Sequence, residues 1–250
     1  MALTALDVYD RAFAAARAQR VPAYVDYVMH IAYTHKRTTE REDDHIVLRT
    51  SDGAAFVESL NATGQRTPPH VANRPPYGVA PISLVGLYHY KTSGASSIFE
   101  AAETPTPSAS PPAEIGRVTA TAHPYDVAFA TSLATGEPRG DHLLLTPRFD
   151  PDHHTLRELY LDSETFLPVR SIVQAHLGVA GLMTRPLFTI DYSVVDGIDV
   201  ISHAWTSFTF RVAFVTYSGS FDYTTSDVSF PATEPGSLFD HPMKSGASLR

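Results

Sequence analysis

Over residues 23–34 the chain alternates with a period of two. Val25, Tyr27, Met29, Ile31 and Tyr33 fall on one side, and Asp26, His30 and Thr34 on the other. Extended backbone sends successive side chains to opposite faces, so this stretch reads as a long β-strand with one buried face. The same one-sided spacing returns at Phe208, Phe210, Val212 and Phe214, separated by Thr209, Arg211 and Ala213. Such strands need hydrogen-bonded neighbours at both edges and a cover over the apolar side, which points to a wide antiparallel sheet.

The rest of the chain fits that plan. Residues 3–20 read as an amphipathic helix: Leu6, Tyr9, Phe13 and Ala16 recur at helical spacing, and Thr4 with Asp7 three residues on suggests a capping box. Val21-Pro22 ends it, because the residue before proline is pushed out of the helical region. The cluster Lys36, Arg37, Glu40, Arg41, Glu42, Asp43 and Asp44 reads as a solvated hairpin tip. Its partner strand is then expected at 45–50, followed by a Ser51-Asp52-Gly53 turn and a strand at 54–60.

Residues 61–78 and 101–112 each hold four prolines, so neither can be an interior strand. Between them, residues 82–90 fit a short helix or a buried strand equally. Residues 117–121, 125–131, 142–146, 156–161, 167–176, 184–193, 198–203 and 221–230 read as extended, with an Asp196-Gly197 tight turn in the series. The fold class expected is α+β: a large curved antiparallel β-sheet, or half-barrel, with an N-terminal helix and a short covering helix or loops on the concave face. Residues 1–230 make one β-rich domain and 231–250 a flexible tail.

Composition narrows the functions. A hydrophobic content of 43 % supports a sizeable core, and a formal charge of −8 with scattered Lys and Arg argues against nucleic acid as a partner. There is no cysteine, which removes disulfides and thiolate chemistry, and no run approaches the length of a transmembrane helix. The chain has 12 histidines, densest at Asp152-His153-His154, but adjacent side chains on a turn diverge and a metal normally needs three or four converging ligands.

His30, His45, His142, His176 and His203 fall on strands or beside them, where lone histidines are usually solvent-facing or satisfied by a neighbour. Ser218, Ser220, Asp222 and His203 can be drawn as a triad, yet a strand and turn account for them. Asp191, Asp196 and Asp199 read as turn formers. Neither a nucleophile elbow nor a phosphate-cradling glycine pattern occurs, so no catalytic residue, metal or cofactor is implied.

Two patches resemble the LolA/LolB-type superfamily of periplasmic lipoprotein carriers. One is Arg49-Thr50-Ser51-Asp52-Gly53 leading into Ala54 to Val57, after a helix and a long first strand. The other is Leu145-Thr146-Pro147, a polar turn, a strand ending at Leu161, and the hairpin Asp162-Ser163-Glu164-Thr165-Phe166-Leu167-Pro168-Val169-Arg170. An Arg-Pro motif common in that family does not occur between Arg41 and Gly53.

The resemblance implies a non-enzymatic protein of the bacterial envelope, periplasmic or secreted, with any export signal upstream of Met1. Its ligand would be a lipid, acyl chain or other hydrophobic small molecule, and an envelope protein is a possible partner. The apolar strand faces then nominate Tyr27, Met29, Ile31, Phe208, Phe210 and Phe214 as ligand-binding residues, since Met and aromatic side chains suit apolar ligands. Two other readings are a hydrolase or metal-dependent enzyme using sheet-face histidines, and an interaction module working through the Pro-rich loops.

Overall fold

The computed structural model describes residues 2–35, 38–60, 66–73, 75–76, 123–131, 138, 140–149, 151, 154–174, 177–179, 182–212 and 215–240. Helix α1 (Ala5–Ala18) starts where the sequence places it. Asp7 N–H donates to Thr4 Oγ1 at 3.1 Å and Thr4 N–H donates to Asp7 Oδ2 at 2.9 Å, closing the capping box. Val8, Tyr9, Ala12 and Ala16 form its buried stripe, which packs chiefly against the strands at the far edge of the sheet.

The strands are β1 (Tyr24–His35), β2 (Thr38–Arg49), β3 (Ala55–Leu60), β4 (His70–Ala72), β5 (Tyr125–Phe129), β6 (Asp141–Pro147), β7 (Leu156–Leu161), β8 (Pro168–Gln174), β9 (Leu177–Val179), β10 (Leu182–Thr184), β11 (Leu187–Val195), β12 (Ile198–Val212) and β13 (Val215–Ser229). Eleven of them form one antiparallel sheet in the order β4-β3-β2-β1-β13-β12-β11-β8-β7-β6-β5, and β9 with β10 makes a separate hairpin. The fold is therefore α+β, one large curved open sheet with an N-terminal helix, as expected from the alternation.

The first and last strands of the sheet are neighbours. β1 pairs with β13 from Asp26 opposite Ser229 to His35 opposite Gly219, with an irregularity between Asp26 and Val28. Two meanders, β1 to β4 and β5 to β13, are thereby joined along this one seam. Gly219 sits on it, and a Cβ there would lie 2.7 Å from the Thr34 carbonyl oxygen and 2.7 Å from the Phe208 ring. Only glycine fits without displacing backbone.

Local turn chemistry follows the sequence closely. Asp196 (φ 47°) and Gly197 (φ 75°) make the two-residue connection between β11 and β12. Between β7 and β8, Asp162 Oδ1 accepts hydrogen bonds from Thr165 N–H at 2.8 Å, Thr165 Oγ1 at 2.8 Å and Glu164 N–H at 3.1 Å. Between β2 and β3, Arg49 grips Asp52 through Nε at 2.9 Å and Nη2 at 2.7 Å.

Two expectations are corrected. The charged cluster is not a solvated hairpin tip: Thr38 to Asp44 belong to β2, because β1 extends to His35 and offers main-chain partners along the whole length. Glu40, Arg41 and Asp43 stay exposed on that strand, while Asp44 is buried. The apolar runs at 198–203 and 208–214 are not separate strands, since β12 runs unbroken from Ile198 to Val212. Thr206 breaks the apolar series but stays inside, with its hydroxyl donating to the Leu187 carbonyl at 2.7 Å.

After β13, Phe239 lies 6.2 Å from the Tyr24 ring, with the Arg49 guanidinium 4.4 Å above it. The expectations for 82–90, 101–112, 117–121 and 241–250 lie outside the described residues.

Gly219→Ala is expected to lower the thermal midpoint by several degrees, and Thr4→Ala to cost about 1 kcal/mol. Thermal melting of Gly219→Ala and chemical denaturation of Thr4→Ala, each beside the parent chain, measure the two effects. An undiminished Gly219→Ala would contradict the close β1–β13 approach.

Candidate functional site

Two adjacent cross-strand rows define what the sheet presents. On the helix-covered side one row runs from Ile31 on β1 through Tyr223, Ala204, Ile190 and Ser171 to Leu159 and Leu143, each directly opposite the next. One residue along every strand, the opposite side carries Asp43, His30, Thr224, His203, Asp191 and Arg170 in the same direct register. Residues one apart point to opposite faces, so the first row is the floor of the core and the second the outer face.

The outer row is a series of paired charges. His30 Nδ1 lies 2.8 Å from Asp43 Oδ1 and its Nε2 lies 3.0 Å from Ser226 Oγ. His45 Nε2 meets Asp26 at 2.8 Å, and His203 Nε2 meets Asp222 at 3.1 Å. Arg170 donates to both oxygens of Asp191, at 2.6 and 3.0 Å, and lies over Trp205, against which His203 stacks at 4.5 Å. These are half-exposed pairs that keep one face wet, each worth little singly.

The histidines expected to be satisfied are satisfied in this way. His142 is buried, stacked on Tyr160 at 3.9 Å with Nε2 2.9 Å from Glu158. His154 was assigned to a polar turn, but it is buried between Tyr125 and Phe149, with ring centroids 5.5 and 5.0 Å away. His153 and His176 lie outside the described residues. Among the described residues, no group of three His, Asp or Glu side chains is placed to hold a metal ion. Ser218 and Ser220 belong to β13, a strand and not a turn, and of the imagined triad only His203 and Asp222 are brought into contact.

Of the residues nominated from the sequence, Tyr27, Met29 and Ile31 sit in the core on the helix-covered face of β1, with Tyr27 and Met29 at 0 % exposure. Phe208 lies on the same side of β12, its ring against Gly219. Phe210 contributes backbone to β12 opposite Tyr217, and Phe214 is outside the described residues. The floor also includes residues not nominated: Phe188 and Phe221, whose rings are 6.0 Å apart, and Tyr223. Phe221 and Tyr223 were visible as alternate residues of the 221–230 strand. Pairing with β1 and β12 is what turns them inward.

The polar groups of this interior were not legible as such. Asp199 was assigned as a turn former, yet it is 1 % exposed between Ile198 and Val200. Burial alone pushes its carboxyl up to about 8. Its backbone N–H donates to Gln19 Oε1 at 3.0 Å, tying β12 to the end of α1, and its Oδ2 has no hydrogen-bond partner among the described residues. The only sequence signal was an acid set between two branched apolar residues.

Asp44, directly opposite Met29 and Ser59, is also 1 % exposed. Burial raises it to about 6, partly offset by a hydrogen bond with Ser59, and Glu42 and Asp43 add to the rise. Tyr9 and Tyr223 are raised by burial as well.

No protein-family model and no curated protein matches this sequence. Among solved structures it is similar to a DUF1329 family protein from Desulfovibrio piger (8 % identity, 96 % of this chain and 98 % of that chain, TM-score 0.40). It is also similar to a structure described as an outer membrane lipoprotein-sorting protein domain from Vibrio parahaemolyticus (10 % identity, 94 % and 96 %, TM-score 0.40). A third is a LolA superfamily protein from Nitrosomonas europaea (13 % identity, 95 % and 98 %, TM-score 0.35). At these identities and TM-scores the likenesses carry no argument about what this chain binds or does. No helix among the described residues is long and apolar enough to cross a membrane, which says nothing about strands.

The raised acid at Asp199 has a definite pH signature. Between the usual carboxylate range near 4 and its folded value of about 8, the native chain holds a proton that the unfolded chain has released. Stability therefore falls as pH rises through that window, by up to ~1.4 kcal/mol per pH unit for one proton. In denaturation measured from pH 4 to 9, Asp199→Asn is expected to flatten this decline and to gain on the parent chain steadily toward pH 8. Parallel curves for the two proteins would contradict the burial of an unpaired acid.

Proposed function

We propose that the chain binds a lipid, acyl chain or other hydrophobic small molecule on the helix-covered face of its sheet, and that it does so as a non-enzymatic protein of the bacterial envelope, periplasmic or secreted. The observation that supports this most is the continuity of the apolar floor. One direct register carries Ile31, Tyr223, Ala204, Ile190, Ser171 and Leu159 across the two arms of the sheet, apolar at every position but Ser171. A second line of Phe221 and Phe188 runs beside it, flanking Thr206.

The described helix lies chiefly on β5 and β6, while Tyr27, Met29, Ile31 and Tyr223 on β1 and β13 are themselves buried in the same core. A broad floor of aromatic, Met and Ile side chains suits an elongated apolar ligand through area burial and polarizability. The sequence resemblance to the lipoprotein-carrier superfamily supports the same reading. Within it, Tyr27, Met29, Ile31, Phe208, Phe210 and Phe214 are the proposed ligand contacts, joined by Phe188 and Phe221. The His–carboxylate pairs on the outer face are already engaged with one another, and this supports a non-enzymatic role.

Purified protein is expected to take up a fluorescent fatty acid saturably. Phe208→Ala and Phe221→Ala should each weaken uptake about three- to tenfold, while His30→Ala on the outer face leaves it unchanged. A chain that neither takes up the probe nor carries a lipid by native mass spectrometry after expression in an envelope-bearing bacterium would overturn the reading.

A further inference from the structure

We propose that the outer face of the sheet binds a neutral, extended polysaccharide chain, with Trp205 as its stacking platform and the hydroxyl row of Ser207, Ser220, Thr34 and Thr39 beside it. This face is opposite the apolar floor, and the inference does not depend on what that floor receives.

Trp205 stands in a cluster of planar polar groups. The His203 imidazole stacks on it with ring centroids 4.5 Å apart and planes 20° from parallel. The two residues are two apart on β12, so the stack runs along the strand and the indole stands on edge, its second face toward exposed Ser207. The Arg170 guanidinium lies 5.4 Å from the indole centroid while donating to both oxygens of Asp191. His203 Nε2 is 3.1 Å from Asp222, which is directly opposite Trp205.

Beside this cluster the same face turns to hydroxyls. Ser207, Ser220, Thr34 and Thr39 stand directly opposite one another across β12, β13, β1 and β2, with the Oγ1 atoms of Thr34 and Thr39 3.0 Å apart. Neighbours in the row are about 4.8 Å apart, on the scale of one sugar ring, and the parallel row of Trp205, Asp222 and Ala32 lies about 7 Å away. The small Ala32 side chain keeps that second row low beyond Asp222. Exposed Thr209 and Ser218, opposite each other, continue the hydroxyls toward the end of the β12–β13 hairpin.

That inventory selects the partner. A protein hydroxyl both donates and accepts, as each sugar hydroxyl does, and the C–H face of a pyranose ring meets the negative face of an indole favourably. An anionic polymer would be brought against Asp43, Asp191 and Asp222, and a polycation would have to take those carboxylates from His30, Arg170 and His203. An apolar protein surface would strip the hydroxyl row of water without replacing its hydrogen bonds. A straight row on a broad antiparallel face fits a chain that is itself straight, which points to β-linked glucose-type units over a coiled α-linked chain.

Trp205 is the one tryptophan of the sequence, so its emission reads occupancy of the platform directly. Titration of the protein with cellohexaose and with N-acetylchitohexaose should change that emission saturably for at least one of them, with binding of the same sugar seen by calorimetry. By calorimetry Trp205→Ala should lower its affinity about tenfold or more, and Thr34→Val about three- to tenfold, as for one lost hydrogen bond, whereas Thr34→Ser should retain it. Uptake of the fluorescent fatty acid belongs to the other face and should be the same in Trp205→Ala as in the parent.

No binding of either hexaose at millimolar concentration would overturn the site, and so would binding that survives both Trp205→Ala and Thr34→Val. Binding of poly-lysine or poly-glutamate in place of the hexaoses would overturn it in favour of a charged partner. Thr34→Val changes one surface hydroxyl to a methyl of the same shape, so it decides the matter even if Trp205→Ala fails to fold.

Discussion

The pairing of β1 with β13 is the contact on which the rest of the structure depends. It joins the first strand of the chain to the last strand of the sheet, across nearly the whole sequence, and makes one surface out of two meanders. Its register is also the register of both faces. A slip of one residue would turn Ile31 and Tyr223 outward and bring His30 and Thr224 in, so burial on one side and charge pairing on the other both select the observed alignment. Gly219 opposite His35 lets the two strands close where the Phe208 ring also needs room.

From that seam the two faces take different work. The outer face spends its side chains on each other: three histidines meet carboxylates within 3.1 Å, and Arg170 grips Asp191 beside Trp205. Such pairs add modestly to stability but mark the side that stays solvated. The inner face is apolar except for a few groups that lower stability where they sit. Asp44 and Asp199 each hold an oxygen without a partner among the described residues, and burial drives both carboxyls toward the neutral form. Departures from the core rule of this kind gather where a protein does something besides fold.

Much of the fold was legible in the sequence, because alternation and turn chemistry are local signals. The Thr4 and Asp7 capping box, the Asp196-Gly197 turn and the one-sidedness of Val25, Tyr27, Met29 and Ile31 all stand as read. What could not be read were the consequences of pairing between distant segments. Thr38 to Asp44 look like a charged loop until a long β1 lies beside them. Asp199 looks like part of a tight turn until α1 and its neighbours bury it, and His154 looks polar until Tyr125 and Phe149 enclose it. Of the candidate site, the apolar floor followed from periodicity, whereas the burial of Asp44 and Asp199 depends on pairing and packing between distant segments.

The central claim is that the helix-covered face, and not the outer one, receives an apolar ligand. Photo-crosslinking with a diazirine-bearing fatty acid, followed by peptide mass spectrometry, addresses it most directly. The account predicts labels on inner-face residues such as Ile31, Phe221, Tyr223 and Phe188, competed away by unlabelled fatty acid. Labelling confined to outer-face residues such as Leu144, Ile172 and Trp205, or labelling that excess fatty acid does not reduce, would contradict it.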